Sequence, residues 1–240
     1  ATHLYDLDSN GSMGMNLAEL YRLTASPEAL HCIKTLADAM FRNIPRFADG
    51  TFYRGDTMWA DDVFMSCPFL VRLGKVTGNS FYYEECVRQI KGFYQRLYRK
   101  EKKLFSHIFF VKEQQPNEVS WGRGNGWIFI SLADMLSHMP KETDGYAWLL
   151  QLFCEFAEGI LRQQDESGLW HQVLDQPDSY LETSCTGMFL LGICKGMRYG
   201  WLERSVYELP AKKAMEGLLK KCIDEDGNIY GVCKGSGCSM

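Results

Sequence analysis

Residues 146–162 carry the sequence YAWLLQLFCEFAEGILR, which has the clearest helical periodicity of the chain. Leu149, Phe153 and Ile160 recur at three- and four-residue spacing and so share one helix face, with Glu155 and Glu158 opposite. The same spacing predicts seven further helices: one that begins at the favourable Ser26-Pro27 pair, and others at about 13–23, 60–75, 80–99, 125–138, 183–199 and 210–222. The predicted fold class is therefore all-α.

Two of the predicted helices differ from the rest because residues 62–71 and 186–197 are apolar almost all the way round. A helix without a polar face is buried by its neighbours. We therefore expect these two helices to lie in an inner layer, and the amphipathic helices to form an outer one.

A short motif returns between the predicted helix pairs: DGTFY at 49–53, LFSH at 104–107, GLWH at 168–171 and DGNIY at 226–230. A motif that recurs about every 60 residues, with two helices per unit, is typical of a repeat architecture. Each copy has the pattern of a turn into a short extended segment. We therefore expect αα-hairpins around an axis, with the loops between hairpins gathered at one end and no internal domain boundary.

The composition is that of a globular protein, with 240 residues, 46% of them hydrophobic and 23% charged, and a formal net charge of −4. This net charge does not indicate a nucleic-acid partner, and the sequence contains no basic stripe. The longest apolar run, Met188 to Cys194, is far too short to cross a bilayer, so no membrane partner is expected. The oligomeric state is left open.

The nine cysteines are an odd number and include no C-x-x-C pair. Four fall on the apolar stripes of predicted helices: Cys32, Cys86, Cys154 and Cys194. This pattern favours reduced, buried thiols and a cytoplasmic location. The cysteines near the C-terminus match no usual zinc spacing, so three unrelated thiols are favoured over a metal site.

Functional side chains are concentrated in the segment WGRGNGW, from Trp121 to Trp127. Tryptophan offers a rigid apolar plate, the Arg123 guanidinium is a planar fork for carboxylates, and glycine permits a positive φ and a close approach to a ligand. An acidic sugar would use all three. A phosphate cradle is disfavoured because the glycine order is not G-x-G-x-x-G and no P-loop lysine follows. A buried aromatic turn remains the alternative.

A pair of carboxylates, Asp61 and Asp62, follows Trp59 at the start of the predicted inner helix. Their ordinary role would be to cap the helix and complement its dipole. A catalytic acid would instead need desolvation to raise the carboxyl pKa by more than the helix dipole lowers it. The sequence leaves both interpretations open for Asp61.

Two further polar segments are candidates for the same site. The N-terminal run Asp6-x-Asp8-x-Asn10-Gly11 imitates a calcium loop, but Leu17 occupies the position that needs a glutamate, so a second carboxylate or a plain turn fits better. His107 lies in one of the recurring loops and is the histidine best placed to meet a ligand. A purely structural role for it is equally consistent with the sequence.

Four motifs in order resemble glycoside hydrolase family 105, the unsaturated rhamnogalacturonyl hydrolases, relatives of the unsaturated glucuronyl hydrolases. They are WADDVFM at 59–65, His107, WGRGNGW at 121–127, and ETSCTGM at 182–188 followed by KGMR at 195–198. The similarity runs from about residue 5 to the end of the chain. It implies an (α/α)6 barrel, so the four predicted hairpins are two short of a ring. We therefore expect one barrel domain over residues 1–240, truncated at both ends.

The resemblance also implies an activity, with no metal or cofactor. The family removes a 4,5-unsaturated uronic acid from the non-reducing end of lyase-generated oligosaccharides, as in pectin degradation, by hydrating the double bond. The distance rule for retaining and inverting carboxylate pairs does not apply to such a reaction. Carried onto this chain, the resemblance makes Asp61 the general acid and base. It gives substrate-binding roles to Asp8 (with Asp6 as its rival), Trp59, His107, Trp121, Arg123 and Trp127.

Two other classes of function stay open from the sequence. One is a non-catalytic helical module, or an inactive barrel fragment, that binds carbohydrate. The other is a toroid with a different chemistry, an ordinary glycosidase or a polysaccharide lyase. Within the hydrolase interpretation the favoured substrate is the unsaturated rhamnogalacturonan disaccharide, and ulvan or glycosaminoglycan products are alternatives.

Overall fold

A computed structural model describes residues 6–235, and eight α-helices are found within that range, as the periodicity predicts. They are α1 (Met13–Thr24), α2 (Pro27–Asn43), α3 (Cys67–Thr77), α4 (Phe81–Leu97), α5 (Gly122–His138), α6 (Tyr146–Arg162), α7 (Thr183–Arg198) and α8 (Arg204–Lys221). A five-residue π-helix, Asp8–Ser12, leads into α1.

Three predicted helix starts are wrong. The predicted helix at 60–75 is divided, because Ala60–Val63 form a 3-10 helix and the α-helix begins only at Cys67. Helix α5 begins at Gly122, before the predicted residue 125, since the glycines take helical conformations. Helix α8 begins at Arg204 and continues through Pro210 instead of starting there.

The helices pack as four antiparallel hairpins in chain order, α1 with α2, α3 with α4, α5 with α6 and α7 with α8. Within this arrangement α1, α3, α5 and α7 also pack one against the next. All four of these helices, or the turns that lead into them, line one cavity of about 160 Å³, so the row curves around a common axis. The odd-numbered helices form the inner layer.

The inner position predicted for the apolar segments at 62–71 and 186–197 is confirmed by α3 and α7. The outer position predicted for α1 and α5 is wrong. The polar residue Asp134 of α5 faces Arg72 of α3 and Lys195 of α7 instead of solvent. An amphipathic pattern does not distinguish a face that meets solvent from one that meets a polar axis.

Seven short strands lie in the loops between hairpins: β1 (Thr57–Trp59), β2 (Tyr98–Arg99), β3 (Leu104–Phe105), β4 (Ile108–Phe110), β5 (Gln115–Pro116), β6 (Trp170–His171) and β7 (Leu181–Glu182). Antiparallel pairs form between β1 and β4, β4 and β5, β2 and β3, and β6 and β7. In the β1–β4 pair, Trp59 lies opposite Ile108.

The predicted repeat is confirmed in the geometry of the four motifs. In three copies a glycine has φ between 82° and 89° and the chain folds back to form a bridge, which pairs Arg46 with Phe52, Gln164 with Trp170 and Ile223 with Ile229. In the remaining copy Lys103 has φ 54°, and β2 pairs with β3. A side chain therefore occupies a left-handed turn position that glycine fills elsewhere.

Backbone hydrogen bonds join each of these loops to the next. Beyond the β1–β4 pair, the Gly122 N–H donates to the Gln172 carbonyl at 2.6 Å, and the Thr183 N–H donates to the Gly231 carbonyl at 3.0 Å. The loops between hairpins therefore gather at one end, as predicted. Helices α5 and α7 start directly from this end, and α3 starts a few residues after it.

The eight cysteines among the described residues are all free thiols. Cys86, Cys185 and Cys222 are among those that are buried, but the burial expected of Cys32 and Cys194 is wrong because both lie on exposed helix faces. Cys238 is outside the described residues. Over residues 6–235, no helix combines the length and apolar character needed to cross a membrane.

Candidate active site

Asp61 lies in the 3-10 helix that follows β1, in a turn held from two sides. The Ala60 N–H donates to the His107 carbonyl at 2.8 Å, and the Trp59 N–H donates to Oδ2 of Asp62 at 3.1 Å. These bonds fix the backbone on both sides of Asp61. Its side chain is 17% exposed, and its Oδ2 atom is buried without a hydrogen-bond partner among residues 6–235.

Burial raises the pKa of Asp61 to about 6, although its own backbone N–H and the positive charges of Arg54 and Arg123 act in the opposite direction. The sequence left open whether desolvation or a helix terminus controls this carboxyl group. Burial outweighs the backbone and arginine contributions, so desolvation prevails. A carboxyl group with this pKa can hold and return a proton near neutral pH.

His107 is packed behind Asp61, between two indole rings. It is 2% exposed, with its ring centroid 5.1 Å from that of Trp59 and 4.4 Å from that of Trp121. Its Nδ1 lies 3.6 Å from Oδ2 of Asp61, which is beyond hydrogen-bonding distance. Burial and the charge of Arg123 lower the pKa of His107 to about 4, so its imidazole is neutral at pH 7.

In the segment from Trp121 to Trp127, Trp121 is the N-cap of α5 and the other residues form the start of that helix. The prediction that its glycines supply positive φ is wrong, since Gly122, Gly124 and Gly126 are all helical. They allow close packing instead, because a Cβ on Gly122 would lie 2.9 Å from Sγ of Cys185, and one on Gly126 would lie 2.7 Å from Sδ of Met188.

Trp121, Trp127 and Asn125 of this segment each make different contacts. Trp121 is 4% exposed, and its Nε1 has no hydrogen-bond partner within the described range. Trp127 lies over Phe64 with ring centroids 4.2 Å apart. Asn125 is buried, accepts the Phe105 N–H at 2.8 Å and donates to the carbonyls of Phe105 and Trp121. Asn125 therefore ties α5 to the loop that carries His107.

Arg123 extends from the start of α5 across the Trp121 ring, with its guanidinium carbon 4.8 Å from the ring centroid. Its Nη1 donates to the Cys233 carbonyl and lies 3.5 Å from Oγ of Ser184. Glu182 holds the same C-terminal segment, because its buried carboxylate accepts the N–H groups of Cys185 at 2.7 Å and Cys233 at 2.9 Å. The sequence contains Glu182 in a motif but does not reveal this function.

A carboxylate–guanidinium–carboxylate network completes the site. Nη1 and Nη2 of Arg54 donate to the two carboxylate oxygens of Asp8 at 2.8 and 2.7 Å, and Nε donates to Oδ1 of Asp62. Asp6 points elsewhere, as its Oδ1 accepts the Ser9 N–H at 2.6 Å. Of the two rival N-terminal carboxylates, Asp8 is the one connected to the Asp61 turn. Arg54 was not identified from the sequence.

Within residues 6–235, no group of three or more histidine, cysteine or acidic side chains is arranged so that it could hold a metal ion. The loop end instead holds two carboxyl groups whose pKa values are raised by burial, Asp61 and Asp62, together with two nearby tryptophans and an arginine. These groups have the chemistry that acid–base catalysis on a polar, ring-shaped substrate would need.

The fold matches the α-helical barrel that the resemblance to family 105 implies. The chain belongs to Glycosyl Hydrolase Family 88, whose sequence profile matches residues 2–240, and it is thus a glycoside hydrolase by family. The unsaturated rhamnogalacturonyl hydrolase YesR of Bacillus subtilis is 28% identical over 96% of this chain and 68% of its own length. An unsaturated 3S-rhamnoglycuronyl hydrolase of Formosa agariphila is 34% identical over 71% of this chain and 48% of its own length.

Solved structures extend the likeness to the fold. A possible member of family 105 from Salmonella enterica is 31% identical, with a TM-score of 0.86 over 93% of this chain and 61% of that one. The unsaturated glucuronyl hydrolase of Bacillus sp. GL1 shares the fold, with a TM-score of 0.72 at 18% identity. The predicted (α/α)6-barrel class and the resemblance to family 105 are confirmed, and the described residues form four of its hairpins.

Proposed function

We propose that the protein removes a 4,5-unsaturated uronic acid from the non-reducing end of lyase-generated oligosaccharides, with the unsaturated rhamnogalacturonan disaccharide as its preferred substrate. The observation that carries this proposal is Asp61, a carboxyl group with its pKa raised to about 6 and one oxygen without a partner in the described part of the chain. The activities of the Bacillus and Formosa relatives support the substrate class.

In the proposed reaction Asp61 donates its proton to carbon 4 of the C4=C5 double bond, and the oxygen of a water molecule adds to carbon 5. The ionised Asp61 takes up the proton that this water loses. The product is a hemiketal, which opens and releases the neighbouring sugar. One carboxyl group acts first as acid and then as base, which needs a pKa near the working pH.

The surrounding groups would bind and orient the uronate. Arg123 brings a positive charge to the site, and a guanidinium pairs well with a carboxylate. Trp59 is half-buried and can contact an apolar sugar face. His107 and Trp121 are too buried to form a wall of the sugar site. We propose that they support Asp61 from behind. Trp127 would support the site through Phe64, and Asp8 would be the assisting acidic residue.

The proposal is tested by following the ultraviolet absorbance of the alkene with a panel of lyase-generated disaccharides from rhamnogalacturonan, ulvan and glycosaminoglycans. A hydrolase of this kind removes the absorbance, most rapidly with the preferred disaccharide. A carbohydrate-binding module binds the sugars and leaves the absorbance unchanged, whereas a lyase acting on intact polysaccharide increases it. Either of these two results would replace the proposed function.

The pH dependence follows from the raised pKa of Asp61. The proton donor must be protonated in the free enzyme, so kcat/KM should be level below pH 6 and fall about tenfold per pH unit well above it. Initial rates from pH 5 to 9 give this profile. A basic limb that stays flat to pH 8 would exclude Asp61, with this pKa, as the proton donor.

Replacing Arg123 should weaken uronate binding selectively. A hydrogen-bonded charge contributes about 1.5–3 kcal/mol, so Arg123→Ala should raise the Kd of an unsaturated disaccharide about 10- to 100-fold. Neutral saturated disaccharides should be affected much less. Calorimetric titration of both ligands measures the difference, with Arg99→Ala as a control in a neighbouring loop. Equal weakening for both ligand types would remove Arg123 from carboxylate recognition.

A cytoplasmic location stays a prediction based on the many free thiols. Fractionation of the source cells, with a cytoplasmic and a secreted marker enzyme, would test it.

A further inference from the structure

Arg54 joins two carboxylates that come from distant parts of the chain. Asp8 belongs to the π-helix before α1, and Asp62 to the 3-10 helix that carries Asp61. The guanidinium makes a two-oxygen pair with Asp8, and its Nε donates to Asp62. Asp62 is completely buried, whereas the Asp8 side chain is 52% exposed. The network therefore runs from the interior of the Asp61 turn to the surface.

Packing brings the N-terminal segment to the same turn. Leu7 is buried, and Gly11 lies so close to the Met65 carbonyl that a Cβ at Gly11 would overlap its oxygen. The backbone around Asp8 is thus fixed against the residues that follow Asp61. The side chain of Asp8 is not fixed by this packing, because a half-exposed aspartate can sample several rotamers. The two bonds from Arg54 select one.

We propose that Arg54 is a positioning residue for the reaction: it holds Asp8 in one orientation at the edge of the site and locks, through Asp62, the turn that presents Asp61. This proposal rests on the proposed function. Arg54 has two of its nitrogens committed to Asp8 and a third to Asp62, so it acts on the substrate through these carboxylates and not as a binding group of its own.

Arg54 also belongs to the charge balance of the site. The titratable and charged groups that surround Asp61 come from several elements: Asp8, Arg54, Asp62, His107 and Arg123. His107 is neutral at pH 7, so the two arginines supply the positive charge. Loss of the Arg54 charge removes one of the interactions that stabilise ionised Asp61. A neutral residue at position 54 should therefore move the basic limb of the pH profile upward.

Two substitutions separate charge from geometry. Arg54→Met removes both, and should lower kcat/KM about 100-fold, the typical cost of misplaced catalytic groups, with an upward shift of the basic limb. Arg54→Lys keeps the charge but cannot make the two-oxygen pair. It should lose kcat while its basic limb stays near that of the unsubstituted protein. Combining Arg54→Met with Asp8→Asn should cost little more than the larger single effect, because both act through one pair.

Arg72 offers a matched control. It makes the same pattern of bonds, with Nη1 and Nη2 to Asp134 and Nε to Glu19, but it does so in the middle of α3. Arg72→Met should lower the Tm and leave the basic limb unchanged.

The outcomes are distinguishable. If the unsubstituted protein fails to consume any unsaturated disaccharide, the proposed function is wrong, and the assigned role of Arg54 falls with it. If it is active but Arg54→Met matches Arg72→Met, with loss of Tm alone and no change in the pH profile, Arg54 is a structural residue. Should Arg54→Met not fold, Arg54→Lys decides, alone and combined with Asp8→Asn, and an Arg54→Lys variant with full kcat overturns the proposal.

Discussion

Asp61→Asn should abolish turnover of unsaturated disaccharides, with a loss in kcat of about 10²- to 10⁴-fold, the usual contribution of a positioned general acid or base. Asparagine has nearly the same shape, but its amide is far too weak an acid to donate a proton to the double bond. Since Oδ2 makes no hydrogen bond within the described residues, the substitution breaks no hydrogen bond at that atom. The loss should therefore appear in kcat, while the Kd for the disaccharide changes little.

The matched control is Asp175→Asn. Asp175 is also a largely buried carboxylate at the loop end, 12% exposed, but it pairs with Lys102 and is outside the proposed site. Its substitution should affect stability and not the chemical step. Alkene consumption that persists in Asp61→Asn at more than a tenth of the original rate would rule out Asp61 as the acid.

Asp61→Asn should also stabilise the protein at neutral and alkaline pH. The folded state raises the pKa of Asp61 from 3.8 to about 6, so ionising it in the folded protein costs free energy. Below pH 4, Asp61 is protonated in both the folded and the unfolded protein, and its ionisation costs the fold nothing. As the pH rises to about 6, the unfolded chain ionises first, so the folded state loses stability relative to it. Asp61→Asn avoids this loss, and its free energy of unfolding should exceed that of the unsubstituted protein by about 1–3 kcal/mol above pH 6.

Denaturant unfolding at pH 4 and pH 8 measures this difference, which should be small at pH 4. Asp49 gives a control of opposite sign. Burial raises its pKa, but hydrogen bonds from Thr51 and Arg96 outweigh burial and lower that pKa overall. Asp49→Asn should therefore destabilise the protein at pH 8. An Asp61→Asn variant that is no more stable than the original at pH 8 would contradict the raised pKa of Asp61.

Periodicity alone predicted the eight helices, because a helix depends on residues near one another in sequence. The repeat was predicted from the recurring loop motif. The pattern at 62–71 identified α3 as an inner helix. It did not identify α5, whose Asp134 pairs with side chains 61 and 62 residues away. Whether a polar helix face meets solvent or an axis depends on packing between hairpins, and no local pattern encodes it.

The candidate site shows the same division. Two segments stood out because of their unusual local composition: Trp59 followed by Asp61, and WGRGNGW. Arg54 did not, because its significance comes from Asp8, 46 residues earlier. The glycines of α5 were misinterpreted for a related reason. A glycine that permits positive φ and one that permits close helix packing look identical until the neighbour is known.

We propose that the protein consumes the double bond in the act of releasing the sugar. Proton NMR of a reaction with the unsaturated rhamnogalacturonan disaccharide can follow both events in one sample. We predict that the vinyl proton at carbon 4 disappears in step with the appearance of the free neighbouring sugar, in equal amounts, and that Asp61→Asn shows neither change. Release of the neighbouring sugar while the vinyl signal persists, or no release at all, would contradict this mechanism.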